Sequence, residues 1–440
     1  TNDPWMGTGH LFDINVMRPV FKNKKLVGFT MSVTHLPDIG GKGMSSDCTE
    51  VYHEGLRLPV CKLQDEGKLN ELILDIVRTN VRVPEQTIGD LMANVACNEV
   101  GGRSLLEFMD EYNLEEIESL ADAINLHSEL SMREKIEGIP DGNYKNCIQI
   151  EGPGYPILLH AVVCVKGGGV AIDFNKTDGP VKASINVPFC YTNAQSLYVI
   201  KCLTIPGLPN NEGSMRPVTV KAPHNCILNA QPPWPTGGRH SVGHFVVPLL
   251  MGALAPALPE KVQADAAMMN VFSVQGKHRN GEEISSLFFL AGGLGAMYGL
   301  DCRAVTPAPS NMTVVPTEIW ENRTSMTIEK RAILENTGGA GKWMGGPGQE
   351  VVFRNDTGNP IEFALMGQRT EFPARGLVGG GDGSLRKYLV NGVAVDPKAR
   401  ITLMPGDRIM MQEAGGGGYG NEKERDLPTL KKDQEIGYIS

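Results

Sequence analysis

Two apolar runs near the start of the chain, VMRPVF and KLVGFTMSV, flank the polar turn KNKK. Each run is bounded at its far end by the same short unit. His10-Leu-Phe-Asp13 precedes the first run, and His35-Leu-Pro-Asp38 follows the second. Apolar runs of strand length joined by a polar turn form a hairpin, and a hairpin returns its second end to its first. The two His-x-x-Asp loops must therefore meet at the open end of one ladder. A single His-x-x-Asp is ordinarily a surface pair. Two copies, each in a Gly/Pro-rich loop beside a strand, point to a divalent metal. Imidazole with carboxylate suits zinc, manganese or iron better than calcium, which takes oxygen ligands. A zinc-protease motif is absent, because His53-Glu54 is followed by Gly-Leu-Arg and no second histidine.

Downstream the apolar period changes twice. NELILDIVRTNV, EQTIGDLMANVACNEVGGRSLLEFMDEY and LEEIESLADAINLHSELSMREKIEGI carry apolar residues at helical spacing, so three amphipathic helices are expected. Their acidic faces read as solvated and His127 as structural. NCIQIEG, ILLHAVVCVKG, GVAIDFNKT and VKASINV then alternate as strands of an antiparallel sheet. A helix, AQSLYVIKCLT, and a long Pro/Gly/Asn loop with the short strand PVTVKAP follow. That loop ends in GGRHSVGH before a helix, where backbone N–H groups and Arg239 offer a substrate-anion site; a plain helix cap reads equally well. The rest is rich in glycine and short strands, and its glycines read as tight turns or close backbone packing. No G-x-x-x-x-G-K-[S/T] loop occurs, so the chain shows no nucleotide site of its own. The expected class is α+β: a mostly antiparallel β-rich core, a helical insertion and a Gly-rich β C-terminal part. The expected segments are 1–68 (β, with the metal motifs), 69–140 (helical), 141–284 (mixed, with the long loop) and 285–440 (Gly- and β-rich).

Composition narrows the partners. A net charge of −9 over 440 residues, with no basic stripe, argues against nucleic acid and anionic membrane. The longest apolar stretch, His244–Pro259, holds two interior prolines and is short for a membrane span; it reads as a buried helix. The nine cysteines are scattered with no C-x-x-C pair, as in reduced, cytoplasmic enzymes. No signal peptide is apparent. The chain opens on a motif without an initiator Met, so an upstream segment is expected.

Several motifs in order resemble the hydantoinase B/oxoprolinase (HyuB-type) family over essentially the whole chain. They are TNDPWMGTGHLFD, THLPDIGG, HEGLRLP, NCILNAQPPWPTGGRHSVGH, NTGGAGKWMGGPG and GGGGYGNEKERD. The chain departs from the family in two places. CRAVTPAPSNMTVVPTEIWE stands where many members have a His-Thr-rich segment, and Asn336-Thr337 replaces Asp-Ser before the Gly pair.

The resemblance implies an ATP-dependent enzyme split over subunits. A HyuA-type ATPase partner phosphorylates the substrate, and the HyuB-type subunit completes the reaction. The assembly implied is a hetero-oligomer with two copies of each subunit. Hydantoinases, 5-oxoprolinases and lactamases open a cyclic amide in this way; acetone and acetophenone carboxylases are relatives that activate a ketone. In the acetone carboxylase large subunit a manganese sits on His-x-x-Asp and a later His, which His10, Asp13 and His35 match in type and order. The expected ligands of a zinc or manganese ion are thus His10, Asp13 and His35. Asp38 or Asp3 is expected as general base or as orienter of a ligand imidazole. Phosphorylation makes the lactam oxygen a leaving group; the second site then needs an activated water and a Lewis acid. A carboxylase subunit and a non-catalytic scaffold for the ATPase are the alternatives.

Overall fold

The computed structural model describes residues 1–310 and 312–440; Asn311, within CRAVTPAPSNMTVVPTEIWE, lies outside the described residues. The expected hairpin is present as β1 (Asp13–Lys22) and β2 (Lys25–His35), antiparallel, with Asp13 paired to His35. Its turn residues Asn23 and Lys24 have φ of +49° and +66°. Both are left-handed, which matches the strand twist across a two-residue turn. Residues 36–63 are not further strand but irregular loop with a short 3-10 turn at Val51–His53. A small exposed hairpin, β3 (Gln64–Asp65) and β4 (Lys68–Leu69), follows, so a boundary after residue 68 falls inside β4.

The three expected helices are α1 (Glu71–Asn80), α2 (Pro84–Glu111) and α3 (Glu118–Glu137). Helix α2 backs one face of the hairpin. Asn98 Nδ2 donates to Val16 O at 2.8 Å, and Thr30 Oγ1 donates to Asn98 O at 2.9 Å. Glycine at 102 lets the helix come this close: a Cβ there would stand 3.2 Å from Val20 Cγ2. The other face of the hairpin leaves Met17, Phe21, Phe29 and Met31 exposed.

The second layer is β5 (Gly142–Glu151), β6 (Pro156–Lys166), β7 (Gly169–Asp173), α4 (Phe189–Thr204), α5 (Glu212–Met215), β8 (Val218–Lys221), α6 (His240–Gly243) and α7 (Val246–Leu254). The sheet order is β5-β6-β7-β8, antiparallel except for the parallel β7–β8 pair. VKASINV, expected as a strand, is not one. Part of its backbone is satisfied by a side chain instead: Asn186 Nδ2 donates to Val181 O and Ala183 O, and to Pro235 O beyond the segment, and Val181 N–H donates back to Asn186 Oδ1. The edge beside β7 goes to β8. The apolar stretch around α7 is buried core, with Leu249, Leu250 and Leu254 fully inaccessible. No helix among the described residues is long and apolar enough to cross a membrane.

The third layer comprises β9 (Met269–Lys277), β10 (Glu283–Ala291), α8 (Thr317–Thr324), β11 (Thr327–Ile333), β12 (Gln349–Arg354), β13 (Ile361–Leu365), β14 (Lys387–Val390), β15 (Val393–Ala394), β16 (Arg400–Leu403), β17 (Arg408–Gln412) and α9 (Leu427–Glu435). Two antiparallel sheets, β10-β9-β13-β16 and β11-β12-β17-β14-β15, share a core in which Phe272 meets Phe353 edge-on at 5.9 Å. A boundary at 284/285 would cut β10. Its partner β9 lies upstream, so this layer begins near residue 269. The outer face of the β9–β10 pair carries Val271, which packs with Leu11, Phe12, Leu36 and Ile39. It thus supports both His-x-x-Asp loops. The architecture is the α+β class expected.

The glycine tracts pack backbone on backbone. Gly293 N–H donates to Ala414 O at 3.0 Å, Gly346 N–H to Leu294 O at 2.8 Å, and Gly416 N–H to Gly346 O at 2.9 Å. A Cβ on Gly293 would fall 1.7 Å from Gly346 O, and one on Gly415 would fall 1.8 Å from Thr337 O. Only glycine fits such a layer.

Candidate metal centre

The open end of the hairpin brings three side chains together. Register pairs Asp13 with His35, so their side chains leave the same face, and the preceding loop adds His10. His10 Nε2 lies 2.9 Å and His35 Nδ1 2.8 Å from the same oxygen, Asp13 Oδ1. Among the described residues these three form the one cluster of histidine, cysteine and carboxylate groups close enough to share a metal ion. His10 is buried, Asp13 less so, and His35 is about one-third exposed, so the cluster opens toward solvent on the His35 side.

The hydrogen bonding of His10 tests the fit. Its Nδ1 lies 3.0 Å from Gly237 O. A carbonyl only accepts, so Nδ1 carries the hydrogen. Nε2 is then a bare lone pair facing a carboxylate oxygen, buried, and without a hydrogen-bond partner. Two acceptors at 2.9 Å need a cation between them. Burial, aided by the Arg239 charge, lowers the His10 pKa to about 4 against the opposing pull of Asp13. Burial opposes ionisation of Asp13, but His10, His35 and Arg239 outweigh it and hold the carboxyl far below its usual range. Two imidazoles and one carboxylate are a donor set suited to zinc or manganese.

The other expected residues are placed differently. Arg239 Nη2 donates to Asp13 Oδ2 at 3.0 Å, and its guanidinium stacks on Tyr191 at 4.7 Å. Arg239 therefore receives an anion, but that anion is the chain's own carboxylate. Asp38 is buried; its Oδ1 accepts from Gly40 N–H at 3.0 Å and Arg82 Nη1 at 2.9 Å, and its Oδ2 from the Arg82 amide. Asp3 Oδ1 caps the first turn through Trp5 N–H at 3.0 Å, and its Oδ2 takes Arg57 Nε at 3.0 Å. Both carboxylates stand outside the metal cluster and are spent on arginine and backbone. The expectation that one of them orients a ligand imidazole is corrected: the Gly237 carbonyl holds His10.

Sequence reasoning missed three neighbours. Glu54, buried, accepts from Gly237 N–H at 2.6 Å and from the Ser184 hydroxyl. Burial pushes its pKa up to about 7, against those two hydrogen bonds. His240 and His244, with rings 6.0 Å apart, lie buried in and just beyond α6. Burial keeps both imidazoles neutral; His244 and Arg239 add to this at His240, and Arg239 at His244, whose pKa falls to about 3. The signal for the two histidines was visible in R-H-x-x-x-H. That for Glu54 was only its place in HEGLRLP.

This α+β scaffold is shared by solved structures. The solved structure of the ATP-dependent caprolactamase from Pseudomonas jessenii matches with a TM-score of 0.89 at 26% identity, over 100% of this chain and 80% of that one. Nucleotide-free acetone carboxylase matches with a TM-score of 0.87 at 18% identity, over 100% of this chain and 66% of that one, a likeness of fold alone. The chain belongs to the hydantoinase B/oxoprolinase family, whose model matches residues 1–422. The B subunit of a putative D-/L-hydantoinase from Pseudomonas sp. strain NS671 is 28% identical over 100% of this chain and 78% of its own length. The beta subunit of the Pseudomonas jessenii caprolactamase is 27% identical over 100% and 79%.

Proposed function

We propose that this chain is the HyuB-type subunit of an ATP-dependent hydrolase that opens a cyclic amide, such as a hydantoin, 5-oxoproline or another lactam. In this reading the substrate arrives phosphorylated by a HyuA-type ATPase subunit in a hetero-oligomer with two copies of each. The observation that carries it is the contact of the His10 Nε2 lone pair with Asp13 Oδ1, which calls for a cation. Three protein donors leave a coordination position for a non-protein ligand, as catalytic sites do and four-donor structural sites do not. This weighs against a scaffold role.

His10, Asp13 and His35 would hold a zinc or manganese ion, which when bound supplies Lewis acidity and a water of lowered pKa. The chain's own residues do the rest. Arg239 holds Asp13 ionised and aimed at the cluster; the Gly237 carbonyl keeps the His10 lone pair on Nε2. Buried His240 and His244 stay neutral and add no positive charge on the Arg239 side. Likeness to a caprolactamase at 26% identity favours the hydrolase over a ketone carboxylase, matched in fold alone at 18%.

The test is reconstitution with a HyuA-type ATPase partner, assayed on 5-oxoproline, hydantoin, caprolactam and acetone, with and without bicarbonate. Ring opening with ATP consumption and no bicarbonate requirement is expected. Turnover of a ketone only with bicarbonate would replace the hydrolase reading by the carboxylase one.

A further inference from the structure

His10 lies in the loop before β1 and Asp13 opens β1, but their imidazole and carboxylate are both held by a distant loop. His10 Nδ1 donates to Gly237 O at 3.0 Å, and Asp13 Oδ2 accepts from Arg239 Nη2 at 3.0 Å. Both partners sit in one tight turn, closed by Arg239 N–H to Thr236 O at 2.9 Å. The placement of that turn therefore decides where two of the three donors point.

The turn rests on Glu54 and Ser184. Gly237 N–H donates to Glu54 Oε1 at 2.6 Å, and Gly238 N–H donates to Ser184 O at 2.6 Å. The Ser184 hydroxyl donates to the same Glu54 Oε1. A Cβ on Gly237 would stand 3.0 Å from Ser184 Oγ and 3.1 Å from Glu54 Oε1, so glycine brings the backbone against the carboxylate. Glu54 Oε2 is buried and has no partner. A side chain kept only to fill this space would be apolar, since a half-satisfied buried carboxyl is costly. What Glu54 provides is the acceptor at Oε1.

We propose that Glu54 is a positioning residue of the metal centre: it clamps Gly237, and through the Gly237 carbonyl it sets the tautomer and aim of His10. The relay runs Glu54 Oε1, Gly237 N–H, Gly237 C=O, His10 Nδ1–H, and leaves the Nε2 lone pair directed at Asp13. It rests on the metal reading above, but the clamp itself exists without the metal and is measured without it.

The experiment uses the full chain stripped of metal by chelation, with ¹⁵N-labelled histidine. NMR reads the His10 tautomer, assigned by its loss in His10→Ala. Calorimetry then reads the affinity for Mn(II) and for Zn(II). In the wild type His10 should be the Nδ1–H form. Glu54→Gln keeps the acceptor, so it should keep the tautomer and bind metal within about threefold of wild type, against the roughly 10–100-fold losses usual when such supporting groups are removed. Glu54→Ala should mix the tautomers and weaken both metals by about 10–100-fold. If Glu54→Ala does not fold, Gly237→Ala, whose Cβ displaces the turn, should give the same two changes. An unchanged tautomer and unchanged affinity in the folded variant overturns the proposal. A wild type that binds neither Mn(II) nor Zn(II) overturns the metal reading instead, and the tautomer result still decides the clamp.

Discussion

Asp13 accepts from Arg239 and lies against both histidines, 2.9 Å from His10 Nε2 and 2.8 Å from His35 Nδ1. Replacing His10 by alanine removes the lone pair that faces this carboxylate. His10→Ala should therefore lose most bound metal and all turnover. Its circular dichroism should barely change, because the main cores lie in the sheets and in α7; elemental analysis beside a thermal melt checks both. The buried histidines also make a pH prediction. His244 is neutral in the fold, with its pKa lowered by burial and by Arg239 from the ordinary 6.5 to about 3. A folded pKa below the unfolded one gives stability that is complete above about 6.5 and lost as pH falls toward about 3, by up to about 1.4 kcal/mol per unit. Urea titrations of His244→Phe at about pH 7 and about pH 4.5, either side of the unfolded pKa, should therefore show a smaller acid loss than wild type. That His10, Asp13 and His35 come together was legible because the two His-x-x-Asp units sit at the two ends of one hairpin. Glu54 was not, because its contact with Gly237 spans 183 residues of chain. Asp38 and Asp3 were misjudged because a motif shows a carboxylate but not the arginine that takes it, here Arg82 and Arg57.

Among the elements, the hairpin and the three helices were predictable because each carries its own period, and no distant partner is needed to define it. VKASINV failed that logic: it alternates like a strand, yet an asparagine side chain takes the Val181 and Ala183 backbone groups, and Ser184 and Val187 bond to separate loops. The hairpin is only as fixed as its contact with α2, and two glycines of that helix separate packing from propensity. A Cβ on Gly89 would meet nothing within 4 Å, whereas one on Gly102 would lie 3.2 Å from the Val20 methyl. Gly89→Ala should raise stability by about 0.5–1 kcal/mol through helix propensity alone. Gly102→Leu should lift the hairpin off the helix, lowering both the melting temperature and metal affinity. Denaturant titration and calorimetry on the pair read the difference.

At the scale of the whole molecule, the layers are joined by groups that no local pattern announces. Arg386 and Glu413, both buried, pair at 2.6 Å; Arg386 also donates to Ala267 O and Met268 O, and Glu413 accepts from Asn270. Glu413→Ala leaves a guanidinium without its counter-charge in the interior and should cost about 3–5 kcal/mol, read from the denaturation midpoint. The expected boundary at 284/285 missed for a related reason: β10 pairs with β9 upstream, and periodicity does not reveal which strands pair. The glycine layer has a genetic consequence. Glycine codons begin with two guanines, so a change at either of the first two bases introduces a side chain or a stop. At Gly293, Gly415 and Gly416 a Cβ meets a carbonyl oxygen at 1.7, 1.8 and 2.2 Å. Saturation mutagenesis of 415–418 should return almost nothing but synonymous alleles, while the exposed turn glycines 281, 358 and 392 drift freely toward asparagine and aspartate. In a lineage of this protein, the segment with the least chemistry in its side chains is the one whose DNA can least afford to change.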